Sequence, residues 1–116
     1  MQQILEKRLF DNRYFDVDCS DLLDDDEQII GGVSVLIDND DGSLILGGAL
    51  VNPAPIFYSK LNRTAQIGKA VQMRISGGIV VLAGTTERIY TLRLRFSTNI
   101  NMGIEATVQL RLTDQP

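Results

Sequence analysis

The sequence predicts an all-β fold, a sandwich of two antiparallel sheets, and three observations predict it. Apolar and polar residues alternate with a period of two over the last quarter of the chain. Turn signals built from Gly, Asn, Asp and Pro recur roughly every 8 to 12 residues, as they do between short strands. No segment sustains a helical period, so parallel folds lack the crossover helices they need. The 116 residues suit one core.

Taken in order, residues 1–13 hold Ile4, Leu5, Leu9 and Phe10 beside Lys7, Arg8 and Arg13. The four apolar residues would share one face of a short helix, but about ten residues are marginal as a helix without a partner. The segment reads as an N-terminal arm ahead of a domain spanning 14–116, and either packs along that domain or extends onto a neighbour. "YFDVDCS" alternates Phe15, Val17 and Cys19 with acids and a serine, which predicts a strand with Cys19 buried. "QIIGGVSVLI" is rich in β-branched residues and predicts a strand bent at Gly31-Gly32. Pro53 and Pro55 forbid a regular central strand in "GGALVNPAPIFYSKLNRTAQIGK", leaving an irregular connection with one or two edge strands.

"AVQMRIS" then predicts a strand, with Gly77-Gly78 as a tight hairpin turn into "IVVLAG" and a second short turn at "AGTTE". In "RIYTLRLRFST", Tyr90, Leu92, Leu94 and Phe96 share one face; in "GIEATVQLRLT", Ile104, Ala106, Val108, Leu110 and Leu112 do. A hairpin through "STNINMG" with Arg95 opposite Glu105 puts every one of them on the core side and pairs opposite charges on the other. Seven or eight such strands make an immunoglobulin-like sandwich the first choice and a small jelly roll or barrel the second.

Composition narrows function. The chain has no histidine and no tryptophan. The commonest general base and the triad partner of a nucleophile are therefore missing, and an enzyme is not expected. Thr85, Thr86, Ser20 and Lys69 have no neighbours that would activate them, and no phosphate loop or cofactor motif occurs. A single cysteine rules out an internal disulfide. No apolar run reaches the ~18 residues of a membrane span, and "MQQILEKRLF" lacks the apolar segment of a secretory signal. The formal charge of -4 hides a division: residues 1–58 hold twelve acids against three bases, and residues 59–116 hold eight bases against three acids. Strands from both halves interleave in a sandwich, so neutralisation within one fold outweighs a functional dipole.

Three charged constellations remain. "DNDDGS" invites a calcium reading, yet neither register of a helix-loop-helix site supplies its first and twelfth ligands, and the flanks are strand-like. Asn, Asp and Gly are also the residues a hairpin turn needs, and that reading is preferred to a metal between loops. In "DLLDDDE", Asp24, Asp25 and Asp26 read first as a solvated loop and only second as a dock for a basic patch. Arg93, Arg95 and Arg111 line the polar side of the last hairpin. Nucleic acid is disfavoured there, because Tyr90 and Phe96 face the core and the overall charge is negative. An ion-paired face comes first and a subunit interface second.

With the strands placed, the chain resembles a family of small immunoglobulin-like virion proteins of tailed phages, described as fibre-tail adaptors. The resemblance rests on "FDVDCSDLL", Phe15 to Leu23, followed by "DDDE" and "QIIGGVSV", and on "IVVLAGTTERIYTLRLRFST" with "EATVQLRL" at the end. It covers about half the chain, and residues 38–76 depart from it. The resemblance implies a structural protein of the virion without enzymatic activity or cofactor, joined to other virion proteins or to copies of itself. A fibre-tail adaptor is the first expectation and a capsid decoration protein the second; a carbohydrate-binding module comes third, since exposed aromatics are few. Ile4, Leu5, Leu9, Phe10, Asp24, Asp25, Asp26, Arg93, Arg95 and Arg111 are the candidate assembly contacts.

Overall fold

The computed structural model describes residues 3–8, 11–38, 40, 42–58, 62–78 and 87–113. Nine strands lie among them: β1 (Ile4–Arg8), β2 (Arg13–Asp18), β3 (Ile29–Ile37), β4 (Leu44–Val51), β5 (Ile56–Tyr58), β6 (Arg63–Ala65), β7 (Ala70–Gly77), β8 (Glu87–Thr98) and β9 (Ile104–Thr113), with one 3-10 turn at Ser20–Leu22. The main sheets run β1-β9-β8-β3 and β2-β7-β4, and β5-β6 form a small hairpin of their own. β1 lies parallel to β9, while the other pairs are antiparallel. The chain crosses between the main sheets from β1 to β2, from β2 to β3, from β3 to β4 and from β7 to β8. That interleaving makes the molecule an all-β sandwich of two sheets.

The last hairpin follows from its alternation. Arg95 stands opposite Glu105 and Leu94 opposite Ala106. Tyr90, Leu92, Leu94 and Phe96 are buried with Ala106, Val108, Leu110 and Leu112. Facing them from the second sheet are Phe15, Val17, Val71, Met73, Ile75 and Leu44, which close one core. Cys19 is buried at its edge, where loss of solvation pushes the thiol up to about 12. β3 bends where expected: its register shifts between Ile30 and Ser34, and Gly31 has φ +72°. Gly77 is required by its surroundings as well as by its φ of +74°, because a Cβ there would sit 2.3 Å from the Ser43 carbonyl oxygen.

Two expectations are corrected. The arm forms no helix: residues 4–8 are a strand packed along the chain's own domain, with Leu5 opposite Leu110 and buried against the core. The turn at 38–42 does not close a hairpin, since β3 and β4 belong to different sheets. The proline-rich middle opens on an edge strand as expected, β4, which ends before Pro53. The "IVVLAG" strand and the turn at 83–86 lie outside the described residues, whereas Gly77 and Gly78 are described, both with positive φ.

Candidate interaction surfaces

The arginine face is closed within the chain. Arg93 Nε donates to Asp38 Oδ1 at 2.9 Å and its Nη1 to Glu105 Oε1 at 2.8 Å, while Arg95 Nε reaches Glu105 Oε2 at 2.9 Å. Arg111 pairs with Glu87 at 2.7 Å and lies 3.6 Å from Glu6. These hydrogen bonds hold the Asp38 and Glu105 carboxyls below their ordinary values. Acids of the first half of the chain thus meet bases of the second, as Arg63 also does with Asp18 and Asp21. Of the assembly contacts expected here, each arginine already has a carboxylate.

The turn "DNDDGS" is organised by its own residues. Asp38 is tied to Arg93, the Asp40 side chain accepts from the Gly42 N–H at 2.8 Å, and Gly42 has φ +80°. This is the side-chain-to-backbone turn that Asp and Gly favour. Asn39 and Asp41 lie outside the described residues.

The acidic loop has a different construction. Glu27 is 2% exposed and receives the Thr98 hydroxyl, the Asn101 amide and the Asp24 N–H. Those donors, the Thr98 hydroxyl first, lower its pKa. Lys69 Nζ donates to the carbonyls of Asp24 and Asp25, and the Asn99 amide to that of Asp26. The backbone is therefore pinned from beneath. Asp24, Asp25 and Asp26 are exposed and make no ion pair among the described residues. They stand as a fixed negative crest at the end of the sandwich where β8 turns into β9.

At the opposite end, Lys7 is 1% exposed and donates to the carbonyls of Arg8 and Gly77. Burial lowers its pKa. Of the four apolar contacts expected in the arm, Leu5 is in the core and Ile4 is 57% exposed. Leu9 and Phe10 lie outside the described residues. Beside β2, Arg63 Nε approaches Asp18 Oδ2 at 2.8 Å, off hydrogen-bond alignment, and the Asp18 side chain is 3% exposed. The Tyr58 hydroxyl and Asp16 Oδ1 are buried close by without hydrogen-bond partners among the described residues. Burial first, then the neighbouring Asp16 and Asp18, raise the Tyr58 pKa.

Sequence reading missed Lys7, Glu27, Lys69 and Arg63. For Lys7 a signal existed, since it stands two residues from Leu5 and must share its face in a strand. It also missed Ile45 and Leu50, which point outward from β4 at 60% and 62% exposure. Among the described residues no three histidine, cysteine or acidic side chains are grouped to hold a metal ion. Compared with known protein families and with curated proteins, the chain matches none.

Proposed function

We propose that the chain is a non-enzymatic structural protein of a tailed-phage particle, an adaptor that joins fibre to tail. The observation that carries the reading is the acidic crest. Three exposed carboxylates, Asp24, Asp25 and Asp26, are held by a buried network while the arginines of the neighbouring face are neutralised within the chain. A rigid charged loop on a closed sandwich loses little freedom when it docks, which favours contact with a basic surface of a neighbouring virion protein. The similarity of "FDVDCSDLL" and its acidic continuation to virion adaptors supplies the setting, because the crest lies within that segment. Many symmetric copies would multiply a modest affinity. Neither nucleic acid, membrane nor cofactor enters this reading.

The test has two arms. Mass spectrometry of purified particles should find the protein, and imaging should place it between tail and fibre; its presence in infected cells but never in particles sinks the virion reading. The same location on the head shell would make it a decoration protein instead. Replacing Asp24, Asp25 and Asp26 by lysine should leave the fold intact and strip the protein from particles. Particles that retain the variant refute docking through the crest.

A further inference from the structure

We infer that two copies of this chain pair through the free edge of β4, antiparallel and across a two-fold axis, so that the β2-β7-β4 sheet continues from one copy into the next. β4 is bonded to β7 on one side and, among the described residues, to no strand on the other. Sheet edges are normally guarded by charges, prolines or short length. β4 is eight residues, "LILGGALV", without a charge or a proline, and β3 beside it, "IIGGVSVLI", has none either. Ile45 and Leu50 stand exposed on its outer face.

The register identifies the occupant. Leu46 lies opposite Ile75 and Ala49 opposite Met73, so Gly47 and Gly48 together occupy one ladder position, a bulge opposite Arg74. Counted across that bulge, Leu44, Leu46, Ala49 and Val51 face inward, whereas Ile45 and Leu50 face outward. A second β4 running antiparallel about the bulge brings Leu44 opposite the second copy's Val51, Ile45 opposite its Leu50, and Leu46 opposite its Ala49. Inward meets inward and outward meets outward on both sides of the axis. Because the two glycines count as one position, hydrogen-bonded positions also meet their own kind. The strand is therefore complementary to itself, which an isologous contact demands and a foreign strand does not.

Charge selects the same surface. Each copy carries -4 overall, and an edge without charge is where two identical chains approach with no like charges opposed. Seven ladder positions at about 3.3 Å each span roughly 23 Å. With the molecule's shortest extent of 22 Å as the greatest width of the contact, that gives at most about 500 Å² per copy, or roughly 1,000 Å² in total, at the lower limit of specific interfaces. A dimer of micromolar strength is expected. The inference does not rest on the virion reading, since its tests use the isolated chain.

Sedimentation equilibrium of the whole chain from about 1 to about 500 µM should give a mass rising from monomer to dimer. An Ile45→Lys/Leu50→Lys variant should stay monomeric with an unchanged melting temperature, whereas Tyr14→Lys on β2 should associate like the parent. Register is read separately: an oxidised mixture of Ile45→Cys and Leu50→Cys chains should crosslink, and neither variant alone should. A parent chain that remains monomeric, a double variant that still dimerises, or Ile45→Cys crosslinking to itself as readily as to Leu50→Cys, overturns the inference.

Discussion

Along one side of the sandwich run β1 and β2, whose sequences "ILEKR" and "RYFDVD" carry six charged residues; along the other run β3 and β4, whose seventeen residues carry none. On the charged side, side chains occupy the strand edges. Gln3 donates to the Asp16 carbonyl and accepts from the Asp18 N–H, Arg13 donates to the Glu6 carbonyl, and Lys7 reaches across to Gly77. Bonds of this kind close an edge against a foreign strand. The uncharged side has no such closure among the described residues. A chain that guards one edge so thoroughly and leaves the other bare directs association toward the bare one.

The largest effect expected of breaking this contrast comes from deleting residues 1–8. The deletion removes Leu5 from the core, Lys7 from the Gly77 carbonyl, and one of the two strands that pair with β9. Emptying one buried leucine position alone costs about 2–5 kcal/mol, and domains of this size are stable by about 5–15 kcal/mol. The truncated chain should therefore lose its cooperative thermal transition by circular dichroism. A transition like that of the full chain would instead make β1 an arm whose place is on a neighbour.

Second in size is Arg63→Ala, which strands the buried Asp18 carboxylate with only its Ser20 contacts. Removing one partner of a buried pair costs about 3–5 kcal/mol; because Arg63 is itself partly exposed, about 2–3 kcal/mol is expected from urea unfolding. Asp18→Asn in the same background should restore part of it. No restoration would mean that Arg63 acts through its packing on the β5-β6 hairpin and not through charge.

What was legible in the sequence was local and periodic. The alternation of β8 and β9 set their faces and the opposition of Arg95 to Glu105, and the double glycine in β3 marked its bend. Which sheet a strand joins was not legible, because a short turn such as 38–42 serves a hairpin or a crossing between sheets equally well. The crossing depends on β8 outcompeting β4 for the side of β3, a long-range choice. Site residues divided in the same way. The acids and arginines could be named from composition, but many of their partners are distant in sequence, as Arg95 to Glu105 and Arg111 to Glu6 illustrate. Buried lysines at 7 and 69 ran against the expectation that lysine stays in water, and their carbonyl partners are invisible to any side-chain pattern.

Acid should separate the two sides of the molecule. Glu27, Asp38 and Glu105 are all held below their ordinary values of 4.5, 3.8 and 4.5. A carboxylate with a depressed folded value contributes stability that is whole above the unfolded value and is lost as pH falls through the folded one. Melting temperature should thus stay level down to about pH 5 and decline below it. The β3 and β4 edge contains no titratable group, so any self-association through it should persist as long as the fold does. Association that vanishes while the melting temperature is still level would place the contact at the carboxylates and not at the bare edge.

The smallest effect is expected where the edge itself is altered. Ile45 and Leu50 lose little on becoming lysine in the monomer, since more than half of each is already in water and the lysine stem covers the same sheet surface. The change in unfolding free energy should lie within about 0.5 kcal/mol for each, measured at low concentration where the chain is monomeric. Leu5→Lys makes the matching substitution on the guarded side, in a buried position beside Lys7, and should resemble the deletion of β1. Identical chemistry would then be nearly silent at one edge and ruinous at the other. A substantial loss at Ile45 would mean that its side chain packs within the monomer, and the bare edge would then have a structural use of its own.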